Sequence, residues 1–374
     1  MRLCFAALGP LQVKAGRHLA CKSRLVVQAI GICSQLVIAL GPIMIVDDRI
    51  YGRFEITQPV LIELMGAGTV VRLKDVSQRG YPAFVECSSP VHYSRYEHSI
   101  GCMLLLRKLG AGLEEQIAGL LHDVSHTAFS HTVDWAFGDP TREDYQDSIL
   151  AQYINASPLA QILKRHGYDS SEISSLEETD RFGLMERKIP QLCADRIDYT
   201  LRDCHYSLGC DAGSFLDHLT VSVGHIAFDS YEMALKFGET YMRCQKELWG
   251  SQGNAVRYYI IGRMMKEAVE SGVVSRKDLH LTETEFIDAV RRSGNEHVNS
   301  LMDLAFGHID YKIANDGIRL NKKFRYVDPE FVQNGKNRRV SEVNPKYGKM
   351  LDDEGKIERE GFRAKISGLE WQKR

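Results

Sequence analysis

LLHDVSHTAFSH, residues 120–131, is the stretch on which the reading of this chain turns. Leading into it, Leu113, Ile117, Leu120, Leu121 and Val124 recur at i, i+4, i+7, i+8 and i+11, the spacing of the apolar face of a buried helix. Gly110 and Gly112 break the pattern upstream, and His122 and Asp123 fall at the C-terminal end. Adjacent residues diverge by about 100° around a helix, so this pair cannot share a face in a helix interior. Where the chain is leaving helical geometry both can converge on one ion, and Ser125, Thr127 and Ala128 are compatible with such a break. His126 and His131 follow His122 by four and nine residues.

Two more blocks flank this stretch in order: YSRYEHSIG (93–101) and ADRIDYTLRDC (194–204). In the latter, Asp195, Tyr199, Arg202 and Asp203 fall at i, i+4, i+7 and i+8, one helical stripe that is too polar for a core. The three blocks together resemble the H…HD…D signature of HD-domain phosphohydrolases. More narrowly, they are similar to the branch of deoxynucleotide triphosphohydrolases that includes the one carrying a SAM domain. The similarity extends to DDRIYG (47–52) and to the surroundings of Gln78, and so covers residues 44–270 or thereabouts. A lone His-Asp pair is a weak signal, whereas three spaced blocks in order are specific.

The resemblance implies one divalent metal ion held by His98, His122, Asp123 and Asp195. It implies catalytic roles for Asp123 and for His126, the latter as proton donor to the leaving group. By the same resemblance Arg95 and Arg196 contact phosphate, Gln78 contacts substrate, and Tyr199 with Asp203 clamps a sugar hydroxyl. Two imidazoles and two carboxylates form a donor set that suits Mn, Fe, Co, Ni, Zn or Mg. Four protein ligands leave positions open on a six-coordinate ion for a water and a phosphoryl oxygen, which is an arrangement for hydrolysis. The sequence departs from the triphosphohydrolase branch where that branch places a second catalytic histidine followed by glutamate. The matching stretch reads REDYQDSI (142–149), with Asp144 or Asp147 in that neighbourhood. The later tyrosine and histidine positions of the base pocket are not matched in LWGSQGNAVRYYIIG (248–262). The expected activity is hydrolysis of a phosphate ester or anhydride, with nucleotides favoured. A nucleoside monophosphate or other small phosphomonoester is the alternative substrate, and a catalytically silent nucleotide sensor the alternative of another class.

The rest of the chain predicts a mostly α fold: an HD-domain helical core with a short N-terminal hairpin and a small strand-containing C-terminal region. IMIVDDRIYGRFEIT (43–57), rich in β-branched and aromatic residues and broken by Gly52, is the hairpin. Helical patterns cover 59–65, 94–109, 144–153, 157–166, 190–204, 231–248 and 255–271, while 79–90 is a loop. Thr282 with Glu285 forms a capping box that starts one more helix. From about Gly317, IRLNKKFRYVDP, RRVSEV and FRAKI are short alternating runs, read as strands of a basic region. The expected divisions are 1–42, 43–275 and 276–374. The first acidic residue is Asp47, and Arg2, Lys14, Arg17, Lys22 and Arg24 precede it. Residues 1–42 therefore read as a leader of organellar type or as a folded extension. A membrane anchor is the remaining reading, although Gln28, Gly31, Gln35, Gly41 and Pro42 interrupt the apolar run.

With 374 residues, 44% of them hydrophobic, the chain can bury a sizeable core, and disorder is excluded for most of it. A formal charge of −2 excludes a globally basic nucleic-acid binder. Nine cysteines without a CxxC pair read as reduced thiols of a cytoplasmic protein, with a mitochondrion or plastid as the alternative if 1–42 is a transit peptide. The expected partners are a phosphorylated small molecule, nucleotides favoured, and further copies of the chain; there is no strong nucleic-acid or membrane signal. Three residues or groups take bland readings. His131 is structural, Asp198 is an exposed or salt-bridged carboxylate, and Lys322, Lys323, Arg325, Lys336, Arg338 and Arg339 belong to a solvated basic surface.

Overall fold

A computed structural model describes residues 42–85, 92–176 and 180–369; the readings given for residues 1–41 lie outside these. The fold is mostly helical, and the hairpin forms as the sequence predicts, with β1 (Met44–Asp48) antiparallel to β2 (Gly52–Ile56). Helix α1 (Pro59–Gly66) opens on a proline at its first turn. Helix α2 (Arg95–Lys108) starts at a complete capping box: the Glu97 amide donates to Ser94 Oγ at 3.2 Å, and the Ser94 amide to Glu97 Oε2 at 2.9 Å. The same start is tied to the preceding segment, because the Arg95 amide donates to the Val76 carbonyl and the Gln78 amide to that of Tyr93. Gln78 is thereby held beside the first turn of α2.

Helix α3 (Leu113–Leu121) ends at His122, and tight turns follow. Beyond them come α4 (Thr132–Phe137), α5 (Tyr145–Ala156), α6 (Pro158–Arg165) and α7 (Ala194–Ser207). The pattern that suggested a helix from 190 yields a helix only from Ala194; residues 190–193 form a turn and extended chain. Helices α2 and α7 approach closely at Gly101, where a Cβ would collide with the Asp198 carboxylate and the Arg202 guanidinium. The chain continues through β3 (Leu219–Ser222), β4 (His225–Phe228), α8 (Tyr231–Cys244), α9 (Gln252–Glu270), α10 (Glu283–Ser293) and α11 (Glu296–Phe306). The expected capping box of α10 is present, with the Glu285 amide donating to Thr282 Oγ1 at 3.2 Å.

The C-terminal region differs from its reading as a small set of strands. Strands β5 (Tyr311–Leu320), β6 (Glu330–Gln333), β7 (Lys336–Arg339) and β8 (Phe362–Ile366) are there, but α12 (Pro345–Glu360) is a helix of 16 residues between them. Its glycines, Gly348 and Gly355, hide it from a propensity reading. Pro345 at the first turn and the Asn344 side chain, which accepts from the Lys346 and Tyr347 amides, start it. Strand β6 pairs in parallel with β4, whereas β5 pairs antiparallel with β8.

Two cores hold these elements. One is centred on α2, α3, α7 and α8 and takes in Val327, Phe331, Tyr347 and Leu351 from the C-terminal region. The other is centred on α4, α9, α10 and α11 and includes Phe129, Leu320 and Ala364. Both draw on residues from either side of position 275. They are joined by Glu283, whose Oε1 accepts the Ser77 amide at 2.8 Å. Burial pushes this carboxyl up to about 8, against the smaller opposing pull of the Ser77 amide.

A group whose folded-state pKa is raised stabilises fully below its unfolded pKa, and that stability is lost as pH rises toward the folded value. Wild type is therefore expected to lose stability between about pH 5 and pH 8, at up to about 1.4 kcal/mol per pH unit. Glu283→Gln keeps an acceptor for Ser77 but cannot ionise, so its urea midpoint relative to wild type should rise across that window. A constant difference between the two midpoints at the ends of the window would show that Glu283 does not titrate there.

Candidate metal centre and substrate cavity

His98 lies on the second turn of α2, fully buried, with Nδ1 2.6 Å from Asp198 Oδ2. Asp198 also accepts from Arg202 Nε at 2.8 Å, and Arg202 reaches on to Asp48 of β1 at 2.8 Å. Asp198 is thus salt-bridged but not exposed: the reading of it as a possible surface carboxylate fails because α7 packs that face against α2. The Arg202 guanidinium holds its carboxyl down against the opposing effect of burial. Arg202 likewise leaves the predicted polar stripe, since it is buried behind the centre while Asp195, Tyr199 and Asp203 face a cavity.

With Nδ1 engaged, His98 presents Nε2 toward His122 Nε2, 3.2 Å away. His122 stands at the end of α3, and its Nδ1 is bound to the Gly119 carbonyl at 2.8 Å. The helix break places Asp123 beside it: Asp123 Oδ1 is 3.5 Å from His122 Nε2 and Oδ2 is 3.7 Å from His98 Nε2. Asp195, on the first turn of α7, puts Oδ1 2.9 Å from His98 Nε2 and 3.6 Å from His122 Nε2. An ion with bonds of about 2.1 Å sets neighbouring donors about 3.0 Å apart in an octahedron and about 3.4 Å in a tetrahedron. His98, His122 and Asp195 could hold such an ion, with Asp123 at the outer edge of these spacings. Cys102 Sγ also approaches His98, at 3.8 Å, but burial pushes that thiol up, which keeps it protonated.

The charges say the same. Against burial, the Arg95 guanidinium and the neighbouring imidazoles hold Asp123 well below the usual carboxylate range. Hydrogen bonds from His122 and His98 do so for Asp195. Burial opposes protonation of His98 and His122, yet the facing anionic groups push both up. Two anionic carboxylates facing two imidazoles form a donor set that could hold a cation in place of the imidazole protons.

The segment behind the centre is braced from its far side. Arg72 Nη2 donates to the carbonyls of Val124 (3.1 Å) and His126 (2.7 Å), and the Ala128 amide donates to the Leu279 carbonyl. Phe129 and Ser130 take left-handed φ values of 60° and 52°, a conformation non-glycine residues rarely adopt. Ser130 Oγ then accepts from Arg95 Nε at 2.8 Å, while Arg95 Nη1 binds Asp123 Oδ2 at 2.7 Å. Arg95, expected on phosphate, is in this state an orienting partner of Asp123 whose side chain still borders the cavity.

That cavity measures about 420 Å³. Gln78, Arg196, Tyr199 and Asp203, the expected substrate contacts, all line it together with His126. Arg196 is paired with Glu186 at 3.0 Å, Tyr199 shares a short hydroxyl contact with Tyr241, and Asp203 accepts from Trp249 Nε1 at 2.7 Å. His126 lies 3.1 Å from Asp123 Oδ1, and burial followed by the Arg95 charge pushes it down to about 4, so it is neutral here. His131, read as structural, lines the cavity edge-on to His126, ring centroids 4.8 Å apart, and its Nδ1 makes no hydrogen bond.

Lys323 and Arg325 also line the cavity, so they are not part of a solvated basic surface; Arg325 is clasped by the buried Glu143. Sequence reasoning missed Glu143, Arg325, Tyr241 and Trp249. Glu143 and Arg325 lie in segments far apart from each other and from the continuous helical stretch that carries Tyr241 and Trp249 at i and i+8, and no sequence spacing connects the three segments.

Residues 95–203 match the HD domain family. The chain is 40% identical over 331 residues to the uncharacterized protein YdhJ of Bacillus subtilis, covering 86% of this chain and 99% of that one. It is 32% identical over 320 residues to the metal-dependent phosphohydrolase cns2 of Cordyceps militaris, covering 82% and 90%. The chain belongs to the HD-domain metal-dependent phosphohydrolases. A phosphohydrolase crystal structure from Bacteroides thetaiotaomicron shares the fold, with a TM-score of 0.61 over 81% of this chain and 95% of that one at 14% identity. A more distant relative of this phosphohydrolase is the deoxynucleoside triphosphate triphosphohydrolase SAMHD1 homolog of Dictyostelium discoideum. It is 29% identical over 225 residues, half of this chain and 42% of its own.

Asp123→Ala should abolish bound metal. Asp198→Asn, which removes the charge behind His98 without touching the ion, should weaken metal affinity about 10- to 100-fold. Chelator competition and elemental analysis of both proteins read this, and full metal content in Asp123→Ala would count against the ligand set.

Proposed function

We propose that this phosphohydrolase acts on nucleotides, in the cytoplasm, with one divalent ion (Mn, Fe, Co, Ni, Zn or Mg) held by His98, His122, Asp123 and Asp195. The observation that carries the substrate class is the wall that continues from Asp195 along α7. Tyr199 and Asp203 face the same cavity as the metal donors, and Tyr241 and Trp249 pack on Tyr199 with ring centroids 6.0 and 4.9 Å away. A phenol and a carboxylate among aromatic rings offer hydrogen bonds to sugar hydroxyls and apolar faces to a nucleoside. A bare phosphomonoester would use none of them.

A bound divalent ion would lower the pKa of a water and neutralise charge building on the phosphoryl oxygens. The protein's own part is to orient and to neutralise. Arg95 keeps Asp123 anionic, and Arg95 with Arg196 supplies planar cations whose forks match phosphate oxygens. His126, which burial and the Arg95 charge hold neutral, gains basicity when an anionic phosphate lies against it, and can then pass a proton to the leaving oxygen. The SAMHD1 likeness favours nucleotides as a class. The five described cysteines are all free, which agrees with a reducing compartment, and no helix among the described residues is long and apolar enough to cross a membrane. Assembly into a homo-oligomer is part of the proposal and is read by light scattering.

Phosphate release would be compared for nucleotides and a generic aryl phosphate, in wild type and in Tyr199→Ala. Nucleotides are expected to lead in kcat/KM, and Tyr199→Ala to lower their kcat/KM by about tenfold or more while sparing the aryl phosphate. Equal turnover of the aryl phosphate together with no effect of the Tyr199 change would leave a metallophosphatase without nucleotide preference.

A further inference from the structure

Arg196 follows the metal donor Asp195 on α7, and its guanidinium is held by the connection that leads into that helix. Nη2 donates to Glu186 Oε1 at 3.0 Å, while Nη1 donates to the Gln191 carbonyl at 3.2 Å and to Cys193 Sγ at 3.1 Å. The Cys193 thiol lies 3.7 Å from the same Glu186 oxygen, which closes a ring of three side chains. Of the five N–H groups of the guanidinium, the one on Nε and the second on Nη2 make no hydrogen bond among the described residues, and Arg196 lines the cavity. A pair of N–H groups is what a bidentate contact to phosphate oxygens uses.

Glu186 is fixed in turn. Its Oε1 also accepts the Arg187 amide at 2.9 Å. Just before it, the Leu184 and Met185 amides donate at 2.7 and 3.0 Å to Oε1 of Glu115, on the first turn of α3, and the Ala194 amide returns to the Leu184 carbonyl at 2.7 Å. The segment that carries Glu186 is thus pinned both to the helix that ends at His122 and to the start of the helix that carries Asp195. An arginine that is free in the unbound protein gives up rotamer freedom when it grips a ligand, whereas one already tethered has lost that freedom beforehand. A carboxylate at this place also repels an incoming phosphate. The arrangement therefore gives up attraction for a fixed direction.

We infer that Glu186 is a positioning residue for the phosphoryl group: acting through Arg196, it holds two guanidinium N–H groups ready for the phosphate oxygens. The inference rests on the reading of Arg196 as a phosphate contact.

Calorimetric titration of the Mn-loaded protein with orthophosphate tests it, each variant being compared with wild type at equal metal content. Arg196→Met should weaken orthophosphate binding by about tenfold or more. Glu186→Ala should weaken it by about threefold or more, against the tightening that loss of a negative charge alone would bring. Glu186→Asp keeps the charge but withdraws the acceptor by one methylene, and should weaken binding as well. Added to Arg196→Met, Glu186→Ala should change nothing further, because the group it positions is gone. Binding in Glu186→Ala or Glu186→Asp that equals or exceeds wild type, or a weakening by Glu186→Ala that persists in the Arg196→Met background, overturns the inference and leaves Arg196 as a phosphate contact. Orthophosphate bound equally by Arg196→Met and wild type, or too weakly to titrate in wild type, overturns both.

Discussion

The centre of this structure is a concentration of negative charge that could be offset by a cation. Asp123 and Asp195 approach the Nε2 atoms of His98 and His122 to between 2.9 and 3.7 Å. Inside a protein such carboxylates are stable only when something positive faces them, because burial alone would protonate them. Arg95 supplies part of that charge from one side, and a divalent ion would supply the rest from the centre. The imidazoles cannot rotate away. Asp198 fixes one and the Gly119 carbonyl the other, so the lone pairs that meet there are preorganised.

The constraint reaches outward through helix packing. Asp198 serves His98 because Gly101 lets α7 lie against α2, and Asp198 is balanced by Arg202, which is anchored in turn on Asp48 of the hairpin. The N-terminal hairpin, which carries none of the metal donors, is thus the outermost partner of a buried chain of charges ending at one. The left-handed residues Phe129 and Ser130 work in the same sense: their strain brings Ser130 Oγ to Arg95, which orients Asp123. Removing any one charged partner would leave another buried and uncompensated, the costly way to break such a network.

The cavity obeys a different rule. Its metal side comes from α2, the end of α3 and α7, whereas its far side comes from the C-terminal segment that follows β5.

Residues 93–101, 120–131 and 194–204 contain, by themselves, the four candidate donors and their order. The break after α3 was legible there as well, because apolar spacing and small residues are local properties of a chain. Helices, the hairpin and the Thr282–Glu285 capping box were readable for the same reason: turns, caps and periodicity depend on neighbours within a few positions. The helix Pro345–Glu360 was not, since its two glycines lower local propensity and tertiary packing outweighs it. Nor were the burial of Asp198 and Arg202, the cavity position of His131, or the Glu143–Arg325 clasp. Each of these depends on which face of one element meets which face of another far away in sequence. Charge in a sequence has a sign but no surroundings; only packing decided whether a lysine or arginine met solvent, a carboxylate or a substrate.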